Sequence, residues 1–354
     1  MILRNLTLEN FRNYRKQEFD FTLGITILVG PNAIGKTNIM EGLFLLAHGS
    51  SFRASLDGEM INSQNYLGRV KGKIDSDQET KLEIILTTNQ EGAFRSSRKR
   101  YLVNGIGRRK MDFIGNLRLV YFGPQDLELI LGSPSKRRDY LDFVLEGVDS
   151  DYRRALLSYR KGLRQRNRLL EQIREGQAKA SALFFWDKLL LENGNLLSQK
   201  RRQLIDFFNQ KTKFKNLTIG YLDSPVSVDR LAEKQIREIA AGKTLIGPHR
   251  DDFKVAAING SQNERDLHKF GSRGEQRLAV LALKLVEVDF IVEQTDSRPL
   301  LLLDDIFSEL DHQHRKDLLE LIPKQQTILT TSDIHLIEPV FRKKATIVRL
   351  GASV

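Results

Sequence analysis

The sequence predicts an α/β fold that carries a mainly helical insertion. Three stretches support this prediction. A strand, a glycine-rich loop and a helix follow one another around "GPNAIGKT" (30–37), and residues 272–354 alternate between helical and strand-like patterns. Between them, Asp151 to about Phe208 has helical periodicity throughout.

The two α/β stretches lie near opposite ends of the chain, so we expect them to form one discontinuous lobe. Its predicted bounds are 1–125 and 265–354. The segment between them, 126–264, is predicted to form an inserted helical lobe that includes an arm and the stretch "GPHRDD" (247–252).

The composition narrows the classes of partner and chemistry. The 354 residues include 56 Lys+Arg and 45 Asp+Glu, which gives a net charge of +11 and a pI of about 9.6. Such a basic chain is attracted to polyanions, which leaves nucleic acid and anionic membranes as candidates. The absence of cysteine excludes disulfides, thiolate metal sites and Cys nucleophiles. No apolar run is long enough to span a membrane and the N-terminus lacks a signal-peptide core, so we expect a cytoplasmic protein.

The N-terminal elements can be placed from their periodicity. "ILRNLTLE" (2–9) alternates as a half-buried strand does, and a second strand-like run ends at Gly30. The segment after the loop has apolar residues at helical spacing and stops at Gly49, where a glycine commonly ends a helix. Short strands with polar turns over 66–104 predict an antiparallel sheet.

The central segment predicts an αα-hairpin arm. One apolar stripe runs from Leu156 to Ile173 and another from Trp186 to Phe208. Gly176–Ser181 separates the two helices.

"GPNAIGKT" matches the phosphate-binding pattern G-x-x-x-x-G-K-[ST] in full. Its position between a strand and a helix directs backbone amides and a helix N-terminus at an anion. Lys36 would reach the β- and γ-phosphates of ATP, and Thr37 would supply a hydroxyl to Mg²⁺. The predicted nucleotide-binding residues of this loop are Gly30, Pro31, Asn32, Ala33, Ile34, Gly35, Lys36, Thr37 and Asn38.

"PLLLLDDIFSELD" (299–311) predicts the partner element of that loop. Four consecutive leucines suit a parallel strand that is buried on both faces. Its end would deliver Asp304 to the Mg²⁺ and Asp305 to the water that attacks the nucleotide.

"FGSRGEQR" (270–277) places small residues ahead of a second apolar helix. Ser272 and Gly274 would expose amides and a hydroxyl at a helix N-terminus, which suits an anion. The alternative is a capping box in which Ser272 and Glu275 only start the helix. The residues alone leave both interpretations open.

Two basic clusters could contact nucleic acid, or could be solvated surface. Residues 95–110 contain seven Lys/Arg and no acid, and the first arm helix is also rich in cations. Neither cluster has interleaved aromatics that suggest base stacking, so we expect binding by shape and charge. The arm cations are Arg153, Arg154, Arg160, Lys161, Arg164, Arg166 and Arg168.

Taken together, these motifs resemble the RecF family of ABC-type ATPases over essentially the whole chain. The resemblance rests on "LENFRNY", "GPNAIGKTNIMEG", "SFR", "LILGSPSKRRDYLD", "GPHRDDF", "GSRGEQRLAVLALKL" and "LLLLDDIFSELD". It implies an ABC-type head, in which Ser272, Gly274 and Glu275 form the signature motif that binds the γ-phosphate held by a second copy.

The resemblance also implies roles that the residues alone do not give. Gln125 would lie at the Q-loop near the metal and the attacking water. Asp305 stands where most ABC-type ATPases have a catalytic Glu, and Glu275 stands where this family usually has Gln. No switch histidine is evident near "TTSD" (330–333), which leaves Thr331, Ser332 or Asp333 as substitutes.

The function implied by the resemblance is that of an ATP-dependent homodimer that clamps DNA and hydrolyses ATP slowly. The family implies single-stranded and duplex DNA at gap junctions, RecR and RecO as partners, RecA loading, and a nucleoid-associated location. A second interpretation is an ATP-gated scaffold with negligible turnover, which Asp305 and the missing histidine favour. The ATPase half of a transporter is a weaker third, because no membrane-docking surface is evident.

Overall fold

The computed structural model divides into two compact units, Met1–Asp126 with Glu287–Val354, and Leu127–Val286. Some expectations lie outside the described residues, namely the start of the basic cluster (95–96), the end of "LLLLDDIFSELD" (309–311) and the part of the predicted helix–strand alternation at 312–323. The described residues are 1–76, 78–88, 97–212, 214, 216–259, 263–308 and 324–351.

The chain begins with strands and one long helix of the first unit. In chain order these elements are β1 (Ile2–Phe11), β2 (Tyr14–Asp20), β3 (Ile25–Val29), α1 (Lys36–His48), β4 (Leu67–Asp75), β5 (Glu79–Thr88), β6 (Ser97–Val103), β7 (Ile106–Arg108), α2 (Lys110–Phe113) and β8 (Leu119–Phe122).

The second unit is mainly helical and carries a small sheet. Its elements are α3 (Glu128–Leu131), α4 (Pro134–Val148), α5 (Ser150–Arg174), α6 (Phe184–Lys211), β9 (Leu217–Leu222), α7 (Val228–Ala241), β10 (Asp252–Asn259), β11 (Asn263–Asp266), α8 (Leu267–Phe270) and the start of α9 (Arg273–Thr295).

The chain then returns to the first unit through α9. The remaining described elements are β12 (Leu300–Asp304), β13 (Thr327–Thr331), α10 (Pro339–Lys344) and β14 (Ala345–Arg349). The return occurs at Glu287, within this continuous helix, whereas the predicted lobe resumed at 265.

Two sheets enclose α1 in the first unit. The antiparallel sheet has the order β2-β1-β4-β5-β6-β7, and the parallel sheet has the order β14-β3-β13-β12-β8. The helix α1 contacts β1, β4 and β5 of one sheet and β8 and β12 of the other. Gly42 permits this packing, because a Cβ there would lie 2.8 Å from a methyl group of Leu8.

The order of the parallel sheet determines where the functional side chains meet. The strand β13 lies between β3, which ends at the phosphate-binding loop, and β12, which ends at Asp304. All five residues of β12 and of β13 are buried, as the leucine run predicted. The carboxyl ends of parallel strands share one edge of the sheet, which is where α/β proteins bind ligands.

The predicted αα-hairpin arm is formed by α5 and α6, which pack against each other. One of its arginines does not belong to a solvent-facing basic stripe. The side chain of Arg166 is buried, and its guanidinium contacts Asp187 and Glu238 at 2.7 Å. Helical spacing alone could not distinguish it from exposed neighbours such as Arg164 and Arg168.

The "GPHRDD" stretch forms a buried polar centre in the second unit. Arg201 on α6 donates hydrogen bonds to the carbonyl of Pro248 and the carboxylate of Asp251. It also donates to Asp142, which accepts a further bond from Tyr152. These groups are buried yet paired, as buried charges must be.

Within this centre, His249 is held in its neutral form. Its Nε2 donates to the carbonyl of Thr244 at 3.1 Å, so its Nδ1 accepts from the hydroxyl of Tyr159 at 2.8 Å. Burial lowers the pKa of His249 from 6.5 to about 4.

In the described residues, no helix is long and apolar enough to cross a bilayer.

The lowered pKa of His249 predicts acid sensitivity. The unfolded chain takes up this proton near pH 6.5 and the folded chain only near pH 4. The contribution of neutral His249 to the free energy of unfolding is therefore fully present above pH 6.5. It falls by about 3 kcal/mol as the pH drops towards 4. Urea unfolding at several pH values should show a shallower decline for His249→Gln than for the matched surface variant His335→Gln. If the free energy of unfolding fell equally steeply with pH in both variants, His249 would not be the source of the acid sensitivity.

Candidate nucleotide-binding site

The phosphate-binding loop connects β3 to α1 and requires its second glycine. Gly35 has a left-handed φ of 112°, and Ala33 one of 66°. A Cβ on Gly35 would lie 2.7 Å from the side-chain nitrogen of Asn13 and from the hydroxyl of Tyr14. The backbone therefore turns tightly here and presents the N-terminus of α1, which favours an anion.

Lys36 lies within the loop rather than in solvent. Its Nζ donates to the carbonyls of Gly30 at 2.7 Å and Pro31 at 3.0 Å. Burial lowers the pKa of Lys36, while Asp305 and Asp304 oppose that shift. A cation is thus held beside the first turn of α1.

Two asparagines fix the end of the loop. Asn13 donates to the carbonyl of Ile34 at 3.0 Å, and Asn38 donates to the side-chain oxygen of Asn13 at 2.6 Å. The turn between β1 and β2 therefore braces the loop from the side.

A buried carboxylate on α1 holds two further segments. Glu41 is fully buried and contacts Arg12 at 2.6 Å and Arg53 at 2.7 Å. Ser51 donates to the same carboxylate at 2.5 Å. Burial opposes ionisation of Glu41, but the hydrogen bonds from Arg12, Arg53 and Ser51 outweigh it, so its pKa is lowered. This cluster ties "LENFRNY" and "SFR" to the helix that carries the loop.

Asp304 is the point at which the strand ends converge. Its Oδ1 accepts from the hydroxyl of Thr330 at 2.7 Å and from that of Thr37 at 3.4 Å. Its Oδ2 lies 3.2 Å from the hydroxyl of Tyr121. Asp304 is buried, so these three hydroxyls replace the water that an ionised carboxylate would otherwise need.

Asp305 follows in a left-handed conformation with a φ of 53°. Its backbone N–H donates to the hydroxyl of Thr330 at 3.0 Å. Burial raises the pKa of Asp305, Lys36 opposes that shift and Asp304 adds to it. Aspartate tolerates this backbone region better than most residues do.

Gln125 is linked to Asp304 through the side chain of Tyr121. The single proton of the Tyr121 hydroxyl is shared between Gln125 Oε1 at 2.8 Å and Asp304 Oδ2 at 3.2 Å. The ring of Tyr121 stacks on Phe52, with centroids 4.5 Å apart. Phe52 belongs to "SFR", so this motif contributes to both sides of the site.

The candidate switch residues lie at the end of β13 and in the loop that follows it, and Thr331 and Asp333 are hydrogen-bonded to each other. The hydroxyl of Thr331 donates to the carbonyl of Asp333 at 2.8 Å, and Ser332 and Asp333 are exposed. It is Thr330, one residue earlier, that reaches Asp304.

The second small-residue loop, in the other unit, has the geometry of a capping box. Glu275 Oε2 accepts from the N–H and the hydroxyl of Ser272, both at 2.8 Å. Arg265 holds the other side of Glu275 and donates to the carbonyl of Phe270. The bonds from Ser272 and Arg265 lower the pKa of Glu275 to about 2. Gly274 is exposed, and a Cβ there would meet nothing within 4 Å.

Thr37 and Asp304 fit a magnesium ion. Mg²⁺ is commonly held by one or two protein oxygens together with phosphates and waters. A hydroxyl and a carboxylate oxygen 3.4 Å apart beside the phosphate-binding loop supply such a pair. No group of three or more potential metal-binding acids or histidines occurs in the described residues, so a protein-only metal cage is not indicated there.

Comparisons with known proteins identify the family. The family model for the RecF/RecN/SMC N terminal domain matches residues 2–349. A DNA replication and repair protein RecF from Herpetosiphon aurantiacus is 38% identical, over 98% of this chain and 97% of that protein. The chain belongs to the RecF family. A RecF from a Cyanothece species is 35% identical, over 100% of this chain and 97% of that protein.

Solved structures agree with that assignment. A recombination mediator protein RecF with ATP, in the RecFOR pathway, has a TM-score of 0.85 and 32% identity, over 95% of this chain and 93% of that one. An Smc head domain from Pyrococcus furiosus has a TM-score of 0.52 and 19% identity, over 99% of this chain and 94% of that one. The predicted ABC-type head fold is therefore confirmed.

The structure brings together the loop residues, Asp304, Asp305 and Gln125 in one unit. Three side chains of this RecF-family site were not identified from the sequence, namely Tyr121, Thr330 and Glu41. The arginines of "LENFRNY" and "SFR" could have indicated Glu41, because a buried acid on α1 needs cations from other segments of the chain.

The Glu41 cluster predicts a stability effect. Glu41→Gln leaves Arg12 and Arg53 without their buried counter-charge, which should cost about 3 kcal/mol. The matched variant Glu79→Gln loses only an exposed pair with Lys81 and should cost under about 1 kcal/mol. Urea unfolding measures both, and equal losses would contradict a central role for Glu41.

Proposed function

We propose that this protein is an ATP-dependent DNA-binding protein of RecF type. The observation that supports it most strongly is the Asp304 cluster beside the phosphate-binding loop. Thr37 on α1 and Asp304 on β12 meet there although 267 positions separate them in sequence. A simple glycine turn would have no reason to face the end of a buried strand in this way.

The proposed nucleotide is ATP with Mg²⁺. Lys36 and the amides of 30–38 would hold the phosphates, and Thr37 with Asp304 would hold the metal. Bound Mg²⁺ would neutralise charge that develops on the phosphate oxygens. The ATP-bound RecF structure supports this choice of nucleotide.

We assign slow hydrolysis to Asp305. Its raised pKa makes it a better proton acceptor than an ordinary carboxylate, and its backbone is fixed by Thr330. Gln125, held by Tyr121, would orient the same water. Aspartate is one methylene shorter than glutamate, which is consistent with a switch rather than rapid turnover.

ATP would also join two copies of the chain. Ser272, Gly274 and Glu275 would meet the γ-phosphate bound to the other copy. Ser272 and Gly274 are exposed, which such contact requires. Glu275 presents a negative charge beside Ser272, so it should weaken the attraction for phosphate.

DNA is the proposed polyanion because the curated relatives are DNA replication and repair proteins. Net charge and exposed cations, such as Arg108 and Lys161, support contact with phosphates. We extend this to single-stranded and duplex DNA at gap junctions, to RecR and RecO as partners in RecA loading, and to a cytoplasmic, nucleoid-associated location. The RecFOR pathway of the solved relative supports those partners.

A scaffold that binds ATP without appreciable turnover is the second candidate. The aspartate at position 305 favours it, because a shorter side chain reaches less far towards a bound water.

Asp305→Asn separates these two functions. Asparagine accepts the left-handed backbone of this position, so folding and ATP binding should be retained. Loss of the proton acceptor should slow single-turnover hydrolysis by about 100-fold or more. Equal rates in quenched-flow measurements of wild type and variant would exclude a catalytic Asp305 and favour the scaffold.

Sedimentation velocity tests ATP-driven assembly. We expect a wild-type dimer with Mg²⁺ and ATP, and a monomer for Ser272→Arg, because the larger side chain blocks the approach of phosphate. Glu275→Gln should strengthen dimerisation by about fivefold, since it removes about 1 kcal/mol of repulsion.

A capping box without a phosphate-binding role predicts a different pattern. Assembly would then be the same for wild type, Ser272→Arg and Glu275→Gln, and only stability would change. Such a result would remove this loop from the dimer interface.

A further inference from the structure

The outer face of the antiparallel sheet carries a second array of cations. The even-numbered residues 68–74 of β4 and 82–86 of β5 are buried on the side of α1, and the odd-numbered residues face outward. The strand pairing aligns outward residues of β4, β5 and β6 on this face. We name the outer basic face by its members, Arg69, Lys71, Lys73, Lys81, Arg98 and Arg100.

The register of this sheet places like charges opposite each other. Lys73 on β4 pairs directly with Lys81 on β5. Ile85 is paired on one side with Arg69 and on the other with Arg100. Like charges directly opposite one another destabilise a sheet, so the Lys73–Lys81 pair carries a folding cost, whereas Arg69 lies opposite Glu9 and Lys71 opposite Glu83.

Neutralisation by acidic residues is incomplete. Glu83 is shared at 3.9 Å between Arg69 and Lys71, and the pair of Lys81 with Glu79 is exposed. Lys73, Arg98 and Arg100 have no carboxylate within 4 Å among the residues that the structure describes. In contrast, Arg12 and Arg53 are both paired with the buried carboxylate of Glu41.

The array suits an extended polyanion rather than a small anion. Arg69 to Lys73 spans about 13 Å along β4, and β4 to β6 spans about 10 Å across the sheet. The members lie on the regular strands β4, β5 and β6, and none of them is at a helix N-terminus.

We propose that the outer basic face binds the phosphate backbone of duplex DNA without sequence specificity. The residues between its cations are Glu83, Ile85, Thr87 and Leu102, none of them aromatic. Single-stranded DNA is usually bound by stacking on aromatic side chains, so duplex is favoured here. This inference rests on the proposed function, in which DNA is the polyanion, and adds the surface that contacts it.

The test compares two double variants with equal charge change. Lys73→Gln with Lys81→Gln removes two face cations, and Lys343→Gln with Lys344→Gln removes two exposed lysines of α10 in the same unit. Duplex DNA affinity is measured by fluorescence anisotropy between 0.05 and 0.5 M salt on the full chain, with melting temperature and ATP affinity recorded for each protein.

We expect the face variant to lose two phosphate contacts. The salt slope should then fall by about 1.8, and affinity at 0.1 M salt should fall by about 60-fold. Its melting temperature should be equal or higher, because the Lys73–Lys81 repulsion is removed. The control variant should retain the wild-type slope.

Equal slopes for wild type and face variant, or equal losses for both double variants, would overturn the assignment of this face while DNA binding itself stands. A wild type that binds ATP but not DNA would overturn the face and the DNA-binding part of the proposed function together. Face-dependent binding to phosphatidylserine vesicles with unchanged DNA binding would overturn it in favour of a membrane.

Discussion

The buried carboxylate of Asp304 is the interaction on which the architecture of the site depends. An ionised carboxylate out of water must be compensated by hydrogen bonds, and here three hydroxyls from three elements provide them. Thr37 lies in the first turn of α1, Thr330 lies next to the last residue of β13 and Tyr121 lies on β8. These bonds fix the end of the sheet relative to the phosphate-binding loop. They also set the backbone of Asp305, since Thr330 accepts its N–H.

Charges inside and outside the protein are arranged differently. Interior ions are paired with good geometry, as with Glu41 between two arginines and Arg201 among two aspartates. These clusters are costly to break, because Glu41 in the first and Arg201 with its two aspartates in the second would remain buried without a counter-charge. On the outer face of the antiparallel sheet, Lys73 instead lies directly opposite Lys81. A chain that pairs its interior charges so consistently has no structural need for that surface array, which points to a polyanionic partner.

The sequence predicted the features that depend on local pattern. The phosphate-binding loop, the leucine strand before Asp304 and the two-helix arm follow from short motifs and periodicity. Contacts between distant segments could not be predicted. Tyr121 meets Asp304 across 183 positions only because β8 lies beside β12 in the sheet. Arg166 shares the spacing of exposed arginines, and its burial depends on the packing of Asp187 on α6 and Glu238 on α7 around it. Glu275 was predicted both as a capping residue and as part of a signature motif, and its bonds to Ser272 form the cap without deciding the second role.

Calorimetry of ATP binding with Mg²⁺ and with EDTA tests the role of the Asp304 cluster most directly. Asp304→Asn keeps the shape of the side chain but removes the charge that would hold the metal. We expect this variant to lose most of the Mg²⁺-dependent gain in ATP affinity and to keep the wild-type affinity in EDTA. An equal loss under both conditions would show that Asp304 only supports the fold of the loop, and would contradict the metal-binding site on which the proposed function rests.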